Sequence, residues 1–324
     1  MFRTPVEVTS PNQRISLHDS LFFVGSCFAQ VIGERFQQNK FNTYINPFGT
    51  LYNPISVFNS LLDAVNQSMP DDEMYLVNQG IHYNYRCHSE FGSESKQGLQ
   101  RQIEQTLIST RDYLKQCHWV IITIGSAFGY ELRKTGQLVA NCHRMPTQLF
   151  NRHLLTPDEI VTKFEQTYRT TIALNPKINY ILTVSPVRHL RDTLVQNSVS
   201  KSVLRLAAHA IQKNHAENIF YFPSYELMID ELRDYRFYQA DMLHPSEVAE
   251  EYIWQQVAEH YLDSGAQQFL KKWNPMYKAL NHRAFHPSSA AHQQFLRNTI
   301  NRLQQLNQQV NVETEIQELE QQLL

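Results

Sequence analysis

The chain has 324 residues, 42% of them hydrophobic and 19% charged, with 29 basic against 31 acidic side chains. That composition supports a sizeable buried core and excludes collagen-like, disordered, disulfide-scaffold and membrane-spanning classes. The near-neutral charge carries no nucleic-acid footprint and no polybasic patch, so neither nucleic acid nor membrane is expected as a partner.

Short apolar runs alternate with helical patterns along the chain, which predicts an α/β sheet with crossovers. The first strand is predicted over residues 21–27 (LFFVGSC), followed by a helix face carrying Phe28, Ile32 and Phe36. A second run, FNTYINP, precedes a helix over 54–66. A polar-faced helix over 95–116 then leads into a third strand, WVIITIG, at 119–125. Thr156, Pro157 and Glu159 read as a helix start: a cap, a first-turn proline and the partner of a capping box. Strands follow at 180–187 and 218–224, separated by a helix over 198–217, and a last domain helix spans about 245–262. Five mostly apolar strands with interleaved helices predict a doubly wound, flavodoxin-like, mostly parallel sheet. Alternation in EMYLVNQGIHYNYR and GQLVANCH predicts hairpin insertions at about 70–93 and 130–150.

Composition shifts beyond Gly265, dividing the chain into a domain over 1–264 and a Gln-rich helical tail over 265–324. In the tail Leu296, Ile300, Leu303, Leu306 and Val310 recur at helical spacing, continued by Ile316, Leu319 and Leu323. Such a stripe either packs on its own domain or forms a coiled coil, giving a homodimer through the C-terminal helix. Cys27, Cys87, Cys117 and Cys142 form no CxxC pair, which argues against structural zinc and a disulfide framework. With no phosphate-cradling glycine loop, no cofactor is expected. The N-terminal stretch lacks the apolar region of a signal peptide, so the expected setting is cytoplasmic.

Only 10 residues are glycine, against roughly 7% in average usage, yet Gly25, Gly49, Gly125 and Gly129 all follow apolar runs, on the sheet's predicted carboxyl edge. Ligands bind at that edge in open α/β folds. Ser26 follows Gly25 at a strand-to-helix turn, where a hydroxyl is presented beside backbone donors; the other reading of such a serine is a helix cap. Asp241 and His244, in QADMLHPSE, are spaced so that the carboxylate can hold the imidazole Nδ1–H and leave Nε2 to accept a serine proton. Alone, D-x-x-H is as readily a surface turn. Together the two motifs outline a serine-hydrolase triad. His88 and His143 lie in the insertions, as substrate ligands or as hydrogen-bonded hairpin histidines. Arg188, after the fourth strand, suits a carboxylate or phosphate on the substrate, or an ion pair. Cys27 has no adjacent base and reads as helix packing. No metal-ligand spacing connects His88, His143 and Asp241.

The stretch FFVGSCFAQ resembles the defining motif of the GSCFA-domain proteins and the first sequence block of the wider SGNH (GDSL-type) hydrolases. NPFGTLYNP, HSEF, GSAFGYE, VANCHR, SPVRHLRD and DMLHPS are likewise similar to family segments, in order, from about residue 5 to 262. The resemblance implies the three-layer SGNH sandwich, with Ser26 as nucleophile, His244 as base and Asp241 orienting it. It implies oxyanion donors at the amides of Ser26 and Gly49. After the third strand Gly125-Ser126-Ala127 stands where SGNH enzymes carry G-x-N-D, so the third donor falls to Ser126 or to Asn141. One such donor is worth about 2.7–4 kcal/mol. The implied activity is hydrolysis of a small O-acyl ester, with an acylated carbohydrate among the candidates. Acyl transfer to an alcohol, or a non-catalytic scaffold with a degenerate pocket, are the alternatives.

Overall fold

Strands β1 (Ser20–Gly25), β2 (Asn42–Ile45), β3 (Trp119–Ile124), β4 (Asn179–Val184) and β5 (Ile219–Tyr221) form one sheet. In the computed structural model, which describes residues 3–191 and 193–324, all are parallel, in the order β5-β4-β3-β1-β2. Every residue of β1, β3 and β4 is buried, as parallel strands covered on both faces require. Strand alternation then sorts the side chains into two cores. Phe22, Val24, Ile122 and Leu182 pack with α2 (Pro54–Asn66), α3 (Lys96–Gln116), α4 (Pro157–Leu174) and α5 (Thr193–Asn214). Phe23, Ile121, Ile181 and Phe220 pack with α1 (Cys27–Gln38) and α6 (Glu247–Tyr261) on the other face. This is a flavodoxin-like three-layer sandwich, as the apolar rhythm predicts.

The capping box forms as expected: Thr156 Oγ1 accepts from the Glu159 amide, and the Glu159 carboxylate accepts from the Thr156 amide. Several expected boundaries move. The strands at 180–187 and 218–224 shorten to Asn179–Val184 and Ile219–Tyr221, and the helix at 198–217 becomes Thr193–Asn214. Two further shifts bear on the site. β1 stops at Gly25, because Ser26 already turns the chain into α1. The last domain helix starts at Glu247, capped by Ser246, since Pro245 is bridged to Tyr238.

Each insertion forms a small antiparallel sheet. One joins Tyr75–Asn78, Ile81–Asn84 and Gly92–Ser93; the other joins Phe128–Leu132 to Leu138–Val139 and Phe150–Leu154. They share a core of Met74, Leu76, Tyr85, Leu132, Val139 and Phe150.

The tail forms α7 (Ser264–Leu280), α8 (Ala290–Leu306) and α9 (Glu313–Glu320). Leu296, Ile300, Leu303, Leu306 and Leu319 are buried in the same core as α1 and α6, so the stripe is spent within its own chain. Trp273 Nε1 donates to the Gln38 carbonyl, and Lys40 pairs with Glu315. Leu303→Ala is therefore expected to cost about 2–5 kcal/mol, read from urea unfolding of the full chain. A cost under about 0.5 kcal/mol, typical of surface positions, would show that the tail lies outside the cooperative core. Among the described residues no helix is long and apolar enough to cross a membrane.

Candidate functional site

The strand order reverses beside β1, whose neighbours are β2 and β3, so the switch point lies at the carboxyl ends of β1 and β3. Gly25 pairs in register with Thr123. Its amide donates to Asn46 Oδ1 and its carbonyl accepts from Leu51, which clamps the loop after β2 onto the end of β1. Ser26 follows as the residue before α1, with extended backbone and no side-chain cap hydrogen bond. Its Oγ is buried and has no hydrogen-bond partner. The capping role, the plainest reading of a serine at a helix start, is thus not the one it plays.

Asp241 and His244 form the expected turn. His244 Nδ1 lies 2.6 Å from Asp241 Oδ2, and Asp241 Oδ1 accepts from the amides of Leu243 and His244. These bonds, the imidazole's foremost, hold the Asp241 carboxyl down at about 2. The Leu243 carbonyl accepts from the Arg188 amide, which brings this turn to the same sheet edge as the loop after β4. Both side chains are more than 40% exposed, however, and no hydrogen bond joins His244 to the buried Ser26 hydroxyl.

The expected oxyanion donors are already engaged. The Ser26 amide donates to the Thr123 carbonyl at 2.9 Å, continuing the parallel ladder of β1 and β3 one residue past Gly25. The Gly49 amide closes its own turn onto the Asn46 carbonyl at 2.8 Å. The amides of Gly125 and Ser126 both donate to the Tyr52 carbonyl. Ser126 Oγ accepts from Phe128 but keeps its own proton to donate. Asn141 uses Oδ1 to hold the His143 amide.

His143 sits in the wall between the insertions. It is buried, stacked on Tyr83, with Nε2 at 2.8 Å from the Asn84 carbonyl and Nδ1 at 3.2 Å from Ser89 Oγ. Burial lowers its pKa, so the neutral ring donates through Nε2 and accepts at Nδ1. His88 packs its Cβ against Gly49 and turns Nδ1 toward Glu90 at 3.6 Å. Both serve as braces of the insertions rather than lining the cleft beside Ser126. Arg188 is stacked 4.0 Å from the ring centre of Tyr238 and borders a separate cavity of about 470 Å³ with Tyr225 and Arg233. Cys27 is pushed up by burial, the opposite of what a nucleophilic thiolate needs.

Two features at this edge were not anticipated. Lys201 is fully buried, and its Nζ donates to the carbonyls of Gly125 at 2.8 Å and Ser185 at 2.6 Å. It shares one helical stripe with Leu204, Ala208 and Ile211, so a lysine on an apolar face was the available signal. The second feature is a cleft of about 850 Å³ beside Tyr52 and Ser126, walled by the second insertion and the loop after β4. Its rim carries Arg144, which with His143 forms two successive left-handed residues, at φ 57° and 47°. Non-glycine residues there cost about 1–3 kcal/mol each and persist only where the surroundings fix them. Among the described residues no group of three or more His, Cys, Asp or Glu is arranged to hold a metal ion.

These features define an α/β sandwich with a buried serine at the switch point and an Asp–His turn on the same edge. The chain belongs to the GSCFA family, whose signature matches residues 20–257. Residues 273–324 match the C-terminal domain of GSCFA domain proteins, covering the last two turns of α7 and all of α8 and α9. No curated protein matches the chain in sequence.

Proposed function

We propose that this protein is a serine-dependent acyl-ester hydrolase of the SGNH type. The observation that supports it is the Ser26 hydroxyl, buried at the switch point with neither a partner nor a capping role. In this reading Ser26 Oγ attacks the acyl carbonyl and His244 Nε2 takes the hydroxyl proton, with Asp241 holding Nδ1. The proton passes to the departing alcohol, and water then releases the acyl group from Ser26. The Ser126 hydroxyl is the oxyanion donor that remains available. For His244 to reach Ser26, the turn that carries Asp241 and His244 must close over the edge. An alcohol in place of water at the second step gives acyl transfer through the same intermediate.

A non-catalytic binding protein is the second reading, favoured by the bonded amides of Ser26 and Gly49. A fluorophosphonate probe separates the two. Wild type is expected to be labelled, Ser26→Ala not at all, and His244→Ala about 10²–10⁴-fold more slowly. An unlabelled wild type, or a labelled Ser26→Ala, would overturn covalent catalysis at Ser26.

A further inference from the structure

The cleft beside Ser126 has a charge pattern that the hydrolase reading does not use. Arg144, Arg152 and Arg191 line it, and no aspartate or glutamate stands among the described residues that do so. In the second insertion Tyr130 pairs directly with Arg152, so both project from one face of the sheet. Glu131 and His153, offset by one residue, project from the other face and lie 3.8 Å apart. Glu131 is thus turned away from the face that carries Arg152 by strand alternation. Aromatic rings stiffen the cationic face: Arg152 stacks 3.7 Å from the centre of Phe128, and Arg191 5.1 Å from that of Tyr130. Arg144 is fixed through its backbone by the His143 turn, which is itself anchored by the Asn84 carbonyl and Asn141 Oδ1.

We infer that this cleft binds an oxyanion group on a sugar-sized ligand, with Arg144 and Arg191 as its principal contacts. Guanidinium forks suit carboxylate and phosphate geometry, and stacked forks lose little freedom on binding. The aromatic walls offer flat surfaces to a saccharide ring. The cleft reaches Ser126, and a Cβ on neighbouring Gly125 would lie 3.3 Å from that of Ser26. An anion held by the arginines therefore keeps the rest of its ligand close to the serine. As a substrate subsite the inference rests on the hydrolase reading and makes the substrate an acidic acylated saccharide. As an anion site it stands without that reading.

Titration calorimetry on the full-length Ser26→Ala protein tests it, since binding there needs no catalysis. D-glucuronate, glucose 6-phosphate and glucose serve as the carboxylate, phosphate and neutral probes. One or both anions are expected to bind and glucose to bind at least tenfold more weakly; the anion preferred identifies the group recognised. Arg144→Met with Arg191→Met is expected to weaken the anion at least tenfold, and the Lys pair less, with thermal melts confirming each fold. Equal binding of glucose, no binding of either anion, or a well-folded Met double variant that binds like the parent would overturn the inference. Failed fluorophosphonate labelling with anion binding retained would remove only the hydrolase reading.

Discussion

Gly25→Ala is expected to abolish the soluble fold, or to cost more than about 4 kcal/mol in urea unfolding, a loss seen only for a few kinds of defect. Gly25 has φ +132°, a region essentially closed to L side chains. A Cβ there would collide with the Thr123 carbonyl oxygen and lie 2.9 Å from its carbon. The neighbour is backbone of the central strand, pinned on its far side by the pairing of Thr123 with Thr183, and it has nowhere to move. Relieving the clash would part β1 from β3 and break the hydrogen bond from the Ser26 amide to Thr123. Gly136→Ala is the control. It too has positive φ, at +69°, but nothing lies within 4 Å of the added carbon. Its cost is expected to be the left-handed penalty alone, about 1–2 kcal/mol. Equal costs for the two variants would show that the close approach of β1 and β3 is not what requires glycine at position 25.

Gly25 and Ser26 show how far the sequence could be read. Gly25-Ser26 after an apolar run locates a strand-to-helix turn at the sheet's carboxyl edge, because strand burial and glycine placement are local signals. Asp241 and His244 were legible for the same reason: their spacing sets a single turn. What local pattern cannot carry is the third dimension of the edge. The Ser26 amide was expected to face a ligand, and it faces Thr123, a residue 97 positions away in sequence. His143 reads equally as a substrate ligand or a hydrogen-bonded hairpin histidine, because its partners, Asn84 and Ser89, come from the other insertion. The arginine cleft escaped notice because Arg144, Arg152 and Arg191 come from three separate segments, each of which alone reads as a solvated charge. The tail's stripe was visible, but an apolar periodicity does not say whether the surface it covers is its own domain or a second copy.

Lys201 differs, since its signal, a lysine on the apolar stripe of α5, is a local one. Burial pulls its pKa down to about 7 from the ordinary 10.5. The folded state then releases its proton at lower pH than the unfolded chain. Between about pH 7 and 10.5 the unfolded state binds more protons, so this residue makes stability rise with pH across that window and leaves it flat below. Lys201→Met removes the titration while keeping a similar volume. The stability of wild type relative to Lys201→Met, from urea unfolding at a series of pH values, is expected to increase by up to about 1.4 kcal/mol per pH unit above 7. A difference that does not change with pH would mean that the carbonyls of Gly125 and Ser185 hold the ammonium charged throughout. In either form the amine ties the end of β3 to the end of β4, directly behind Gly125 and Ser126. Methionine leaves the Ser185 carbonyl without its lysine donor, at a cost of about 1–3 kcal/mol. It also frees the segment that carries the Ser126 hydroxyl. Fluorophosphonate labelling of Lys201→Met is therefore expected to slow even at pH values where the variant remains folded. Unchanged labelling would confine Lys201 to stability and separate the sheet's internal tie from the chemistry proposed at Ser26.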